Sequence, residues 1–599
     1  MNDDPSFCII HAAATLHGCF RCLCQFCAGP LRTLWPMSTS AQCCFASQPQ
    51  IFDAGVAVAL AVAREIRGNS EVIGGEMGVG SLSLWRRKPL ELLIKEGGDA
   101  EKGLRKTLGP LSLIALGIGA IIGAGLFVRT AAAAANNAGP SVTLAFVIAA
   151  IGCAFAGLCY AEFASMVPIA GSAYTYSYTS MGELVAWIIG WDLMLEYGIG
   201  AATVGIAWSE YLNKLLEFLP GGYQVPYALC HSPFEVLRNK QGAVVAHGII
   251  NLPALGIILA MSLLLVRGIH ESAVVNGIIV ITKVAIVILL IALGWGFMNP
   301  ANHHPFIPPP SMIVDGQGIS HHYGGVRGLL GGAGVVFFAF IGFDAVSTAA
   351  QESKNPSRDM PIGILGSLAI ATVLYILFAH VLTGLAPVSE FRTAGHEASI
   401  VFAITKHMPG YGWLAKLVTV AILAGFSSVI LVMLMGQSRV FFSMSRDGLV
   451  PAVFSDVHPR FRTPWKSNLL FCIFVGAFAA FLPGDIVGDM TSIGTLFAFL
   501  LVCLGVWILR VRSPDVPRKF RAPGVPVTPL LGVLTCAAMI FGLGWPNWLR
   551  LAVWLLLGLL IYFCYGRTHS KLGKAAAPSI PTAQLAPQAV TQVTPQTAP

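Results

Sequence analysis

The groups best suited to chemistry in this chain are a few ionisable residues and one glycine-rich stretch, all set among apolar neighbours. Lys283 sits in the middle of VNGIIVITKVAIVILL, a segment with no other charge. A lysine held away from water can trade its proton near neutrality, or stand as a fixed cation where a coupling sodium ion would sit. Its plainer role is to neutralise a carboxylate. Asp192 and Glu196 are four apart and share a helix face, so Glu196 can relay a proton or anchor a hydrogen bond. Asp344 lies inside VFFAFIGFDAVSTAAQE, where it can cap an interrupted helix or steer a cationic ligand. Ser427 and Ser428 offer hydroxyls to a ligand or to a backbone carbonyl. The stretch GIGAIIGAG holds Gly117, Gly119, Gly123 and Gly125. Glycines there let a helix unwind and bare its N–H and C=O groups, or simply let two helices pack closely, as the spacing of Gly119 and Gly123 would suit.

The elements that must position these groups follow from composition. The 599 residues are 55% hydrophobic and 11% charged, with mean hydropathy +0.72. A soluble domain carries about 25% charge, so a water-soluble protein is excluded. The net charge of +8 is not gathered into basic stripes with aromatics between them, which speaks against nucleic-acid binding. The chain reads as an all-α polytopic membrane protein. Apolar runs long enough to cross the hydrocarbon layer fall near 111–135, 141–167, 183–213, 249–269, 272–298, 328–351, 361–386, 411–443, 467–483, 488–510, 526–543 and 547–565. This predicts twelve transmembrane helices, since lipid cannot satisfy free backbone groups. Lys and Arg gather before span 1 (Arg86, Arg87, Lys88), between spans 8 and 9 (Arg439, Arg446, Arg460), between spans 10 and 11 (Arg510, Arg512, Arg518) and after span 12 (Arg567, Lys571, Lys574). That asymmetry places both termini in the cytoplasm. Arg129, in the outer half of span 1, is expected to reach the headgroups.

The glycine interruptions lie in spans 1 and 6, the first members of two five-span sets. Interrupted segments at corresponding positions of two halves point to the binding site of an inverted-repeat transporter. A half-helix N-terminus then faces an anionic group and free carbonyls face a cationic one, as a zwitterionic α-amino acid would require. A membrane-embedded enzyme would need a catalytic set such as paired His residues, and the spans hold almost no His. A channel would want a polar lining or charged rings, which the spans lack.

The motifs LGIGAIIGAGLFV, CYAEFASMVPIAGSAYTYSYTSMGELVAWIIGWDLMLEY, FFAFIGFDAVSTAAQESKNPSRDMPIGI, SRDGLVPAVFSDVHP and FRAPGVPVTP, in this order, resemble the amino acid–polyamine–organocation superfamily, and within it the bacterial cationic amino acid transporter group. The resemblance runs from about Leu108 to Tyr565. It implies a five-plus-five inverted repeat with broken helices 1 and 6, two further helices, and alternating access. It implies that Gly123, Ala124 and Gly125 meet a substrate carboxylate through backbone N–H groups. Carbonyls near Ile121, and of Ala339 and Ile341 beside Gly342, would meet the ammonium, and Phe338 would close over the substrate. Lys283 matches the family's span-5 lysine, and Glu196 matches a family glutamate. Ala124 departs from the Thr or Ser that many members carry there, which removes a hydroxyl contact.

The expectation is an amino acid importer of the inner membrane working by proton symport, with an amino acid or polyamine exchanger as the alternative. Protons serve as coupling ion and no cofactor is needed. The partners are the amino acid and the lipid bilayer, not nucleic acid; a small membrane partner protein is left open. Residues 1–76 stand apart, with Cys8, Cys19, Cys22, Cys24, Cys27, Cys43 and Cys44. Their spacing lacks the second pair that a zinc site needs. They are expected to be disordered or to precede the true start at Met77. Residues 77–107 form a cytoplasmic amino-terminal segment, 108–565 the twelve-helix core, and 566–599 a disordered cytoplasmic tail.

Overall fold

The computed structural model describes residues 84–89, 108–166, 172–238, 244–268, 273–314, 320–350, 353–392 and 399–575. The chain divides into two units, residues 1–81 and 82–599, and the Cys-rich extension in the first lies outside the described residues, as does the tail beyond 575.

Helix α1 (Pro110–Ile121) starts with proline in its first turn, where the missing N–H costs nothing, and stops at Ile122, whose backbone turns extended. The chain resumes helical winding at Gly125–Arg129 as a π turn, continues through Thr130–Ala133 and Ala134–Ala138, and reverses at Gly139–Ser141 into α2 (Val142–Met166). A short α3 (Ser172–Ser180) leads to α4 (Glu183–Leu193), which passes through a second π segment, Met194–Ile199, into α5 (Gly200–Glu217). Helices α6 (Leu252–Arg267) and α7 (Ala273–Trp295) follow. Span 6 is α8 (Gly325–Phe337), a tight turn Phe338–Phe340, a break, and α9 (Ala345–Thr348). The rest is α10 (Pro356–Leu385), α11 (Ser399–His407), α12 (Gly412–Arg446), α13 (Trp465–Phe481), α14 (Gly484–Arg512), α15 (Val527–Gly542) and α16 (Trp545–Ile561). Two small antiparallel hairpins, β1–β2 (Val236–Arg238, Val244–His247) and β3–β4 (Ser311–Val314, Ser320–Tyr323), occupy the loops after α5 and α7.

Among the described residues, eight helical runs are long and apolar enough to cross a membrane, and four shorter apolar helices accompany them. The first run, Gly125–Met166, joins the outer half of span 1 to all of span 2. Many large apolar side chains face outward, such as Ile281 at 70% exposure, Ile473 at 72% and Leu560 at 61%. In water each would forfeit about 25 cal/mol for every Å² left bare; against lipid tails there is no such cost. The protein is a multi-pass membrane protein.

The two breaks have local causes. Gly342 has φ +109°, a conformation that side-chain-bearing residues avoid, and its backbone lies against the carbonyl of Ala120. Gly125 lies against Ala339 so closely that an added Cβ would come within 2.6 Å of the alanine Cβ. Gly342 and Gly125 therefore mark the interruptions and let the two touch.

Candidate functional site

The two interruptions touch, Gly125 against Ala339 and Gly342 against the Ala120 carbonyl, and Ile121, Gly123, Ala124 and Gly125 of span 1 and Ala339, Ile341 and Gly342 of span 6 are all buried. Phe338 opens the span-6 break at 3% exposure. The end of α1 leaves carbonyls that its own helix cannot satisfy. Lys283 on α7 fills that need: its Nζ donates to the carbonyls of Gly119 at 3.0 Å and Ile122 at 3.2 Å. A cation at a helix C-terminus is also favoured by the helix dipole. The stem of Lys283 runs over Gly425 of α12, where a Cβ would come within 2.6 Å of its Cε. Lys283 thus ties α1 to α7 and α12. A small cavity beside it is lined by Ile122, Phe127, Ile286, Ile422 and Phe426 among others.

Tyr375 was not singled out in the sequence. Its hydroxyl, on α10, lies 2.9 Å from the carbonyl of Ile121 and 3.0 Å from that of Ala339, so one donor serves both breaks. These are two of the carbonyls expected to take the substrate ammonium. The available signal was a lone phenol in the aliphatic run IATVLYILFAH.

The second cluster is acidic. Glu196 stands in the π segment of span 3 and Asp344 at the span-6 break, both fully buried. Neither oxygen of Glu196, nor Oδ1 of Asp344, meets a hydrogen-bond partner among the described residues. The Tyr197 hydroxyl donates to Asp344, and Ser172 approaches the same oxygen at 3.5 Å. Asp344 stands at the start of α9 but makes no capping bond with its side chain. Asp192, four residues before Glu196, has both oxygens buried without a donor.

Two residues are placed differently from the expectation or apart from the frame. Arg129 does not reach toward headgroups. It is 3% exposed, donates to Asp485 at 2.8 Å, and pairs with Asp489, both on α14. A guanidinium offered two carboxylates inside the fold has no reason to snorkel. Ser427 bonds to the carbonyl of Leu423 at 2.9 Å and accepts from Trp208 at 3.2 Å, the backbone-directed alternative foreseen for it. Ser428 is buried with its hydroxyl unpartnered. Among the described residues no group of three or more His, Cys, Asp and Glu is placed to hold a metal.

A further ion pair joins α5 to the loop that follows it. His231 Nε2 lies 3.0 Å from Glu210, and its Nδ1 lies 3.2 Å from the Cys230 sulfur. Burial works against the charged ring, but the bonds to Cys230 and Glu210 outweigh it and hold the His231 pKa up at about 11.

Comparison with known proteins agrees with this geometry. The family model described as amino acid permease matches residues 108–564. The branched-chain amino acid permease BcaP of Bacillus subtilis is 44% identical over 82% of this chain and 99% of its own length. The methylthioribose transporter of the same organism is 40% identical over 82% of this chain and all of its own length. Cationic amino acid transporter 4, vacuolar, of Arabidopsis thaliana is 34% identical over 72% of this chain and 68% of its own. The relatives are transporters rather than enzymes. With two interrupted helices touching at their breaks and a family match across the whole helical region, the chain belongs to the amino acid permease family, of the amino acid–polyamine–organocation type that its motifs resemble.

Proposed function

We propose that this permease imports a neutral amino acid with a branched apolar side chain by proton symport, through alternating access of a twelve-helix, five-plus-five inverted repeat in the inner membrane with both termini in the cytoplasm. The observation that carries the reading is the contact of the two breaks with Lys283 and Tyr375 on their carbonyls. The first N–H groups of the turn at Gly125 suit a carboxylate, and the carbonyls of Ile121 and Ala339 suit an ammonium once the Tyr375 hydroxyl yields one of them. The neutral side chain is supported by the carbon-rich surroundings of the breaks, Ile122, Phe127, Phe338 and Ile341. It is supported too by Asp344, the nearby acid, being turned to Tyr197 and Ser172. A relative that is a branched-chain permease by name points the same way.

Proton coupling is supported by Lys283. Its ammonium holds the end of α1 to α7. Loss of the proton removes the charge that makes those bonds strong and frees α1 to move. Glu196 and Asp344, both fully buried carboxyl groups, are two further places where a transported proton would be held. The test is uptake of radiolabelled leucine into proteoliposomes with and without an inward pH gradient, in competition with arginine. Gradient-driven uptake blocked by unlabelled valine but not by arginine is expected. Equal uptake under both conditions removes the symport, and uptake only into amino-acid-loaded vesicles replaces it with exchange.

A further inference from the structure

The permease reading gives no role to the described end of the tail, which is knitted into the same face as residues 84–89. Two acidic residues organise that face. Glu183 opens α4, 3% exposed, and its carboxylate accepts from the hydroxyls of Tyr178 at 2.9 Å, Tyr562 at 3.0 Å and Ser570 at 2.6 Å. Asp447 follows α12, and accepts from Lys88 at 2.7 Å and from the Tyr174 hydroxyl at 2.6 Å.

The same two residues hold two described segments, one before α1 and one after α16. The strap that precedes α1 is gripped where the Glu183 N–H donates to the Arg86 carbonyl at 2.8 Å and where Lys88 reaches Asp447. The tail is gripped by adjacent residues: Ser570 donates to Glu183, and the Lys571 N–H donates to the Asp447 carbonyl at 3.0 Å. Ser570 also accepts from the Gly573 N–H at 3.1 Å, so one hydroxyl starts the last helical turn, Lys571–Ala575, and fastens it.

Each acid has a glycine beside it that makes the grip possible. Gly182 has φ +109°, and a Cβ there would come within 2.8 Å of the Trp85 carbonyl oxygen. Gly448 has φ +83° and lies against the carbonyl of His569. Burial, together with Glu183 for Tyr178 and Asp447 for Tyr174, pushes both phenols well above their usual pKa, so they stay donors over the physiological range.

We propose that the segment Arg567–Lys574 is an intramolecular latch: by occupying Glu183 and Asp447 it fastens the strap before α1 and holds that end of the transport path shut until the tail is displaced. The idea rests on alternating access, but its test does not need a substrate. Hydrogen exchange of the full-length protein in detergent or nanodiscs is compared for the wild type, Ser570→Ala and Ser570→Thr. The lost bond to a charged acceptor is worth about tenfold in an opening equilibrium. Ser570→Ala is expected to speed exchange about tenfold in residues 84–88 and in α1, and Ser570→Thr, which keeps the hydroxyl, to leave it unchanged. Faster exchange confined to residues 566–575 would overturn the latch. Faster exchange in α1 together with no leucine uptake by the wild type would leave the latch standing and sink the substrate reading.

Discussion

The two ends of the molecule are fastened by different chemistry. At one end a buried cation does the holding: Arg129 of span 1 pairs with Asp485 and Asp489 of α14, and Asn547 at the start of α16 donates to Asp489 at 3.2 Å. The other end relies on acids. Glu183 and Asp447 collect hydroxyls, backbone N–H groups and Lys88, and Glu162 at the foot of α2 takes two bonds of 2.7 Å from Arg510 and one of 2.8 Å from the Ala522 N–H. The first fastening joins span 1 to α14 through one side chain, so a single substitution removes both of its ion pairs. The second is shared by several elements and loosens only when several contacts yield.

The sharpest way to break this comparison is Glu162→Gln. Glu162 is 1% exposed and its partners are charged, so the change is expected to cost about 4 kcal/mol and to lower the melting temperature clearly. An unshifted melting curve would mean that this end does not depend on its acids. Next is Arg129→Gln. Asp485 is 59% exposed and can return to water, so the cost should fall to about 2 kcal/mol, with faster hydrogen exchange in residues 125–138 and none in residues 84–88. Exchange rising at both ends would dissolve the distinction.

His231→Gln tests an ion pair outside both fastenings and should cost about 2 kcal/mol at pH 6. The folded pKa of about 11 lies above the ordinary 6.5, so this stabilisation is complete below pH 6.5, declines as pH rises, and is gone above about 11. A variant whose deficit is constant from pH 6 to pH 10 would contradict it. The smallest effect is expected for Ser427→Ala, about 1 kcal/mol or less, because only a local bond to Leu423 and one from Trp208 are lost. Uptake kinetics should be unchanged; a raised KM would return Ser427 to the substrate frame.

Legibility differed by kind of residue. Both breaks were readable because glycine clusters mark where a membrane helix can unwind, and Lys283 because a charge among aliphatic residues must have a purpose. The fold of Asp344 onto Tyr197 and Ser172 was not readable, since its own span says nothing about what faces it. Tyr375 was invisible: a phenol in a long apolar helix has no spacing that announces its target. Arg129 was misjudged because its nearest alternatives along the chain are lipid and water, whereas its partners lie 356 and 360 residues away.

By itself, the sequence decided that this is a multi-pass membrane protein of the amino acid permease family, that glycines interrupt spans 1 and 6, and that Lys283 is buried among the helices. Those are local consequences, because in lipid every backbone group must be satisfied within its own segment or visibly fail to be. Only the tertiary structure decided that Tyr375 serves both breaks, that Arg129 closes on α14, and that Glu183 and Asp447 gather Arg86 and Lys88 together with Ser570 and Lys571. Each of these pairings joins groups from distant segments, and neither hydropathy nor spacing records which distant donor and acceptor the packing brings within about 3 Å of each other.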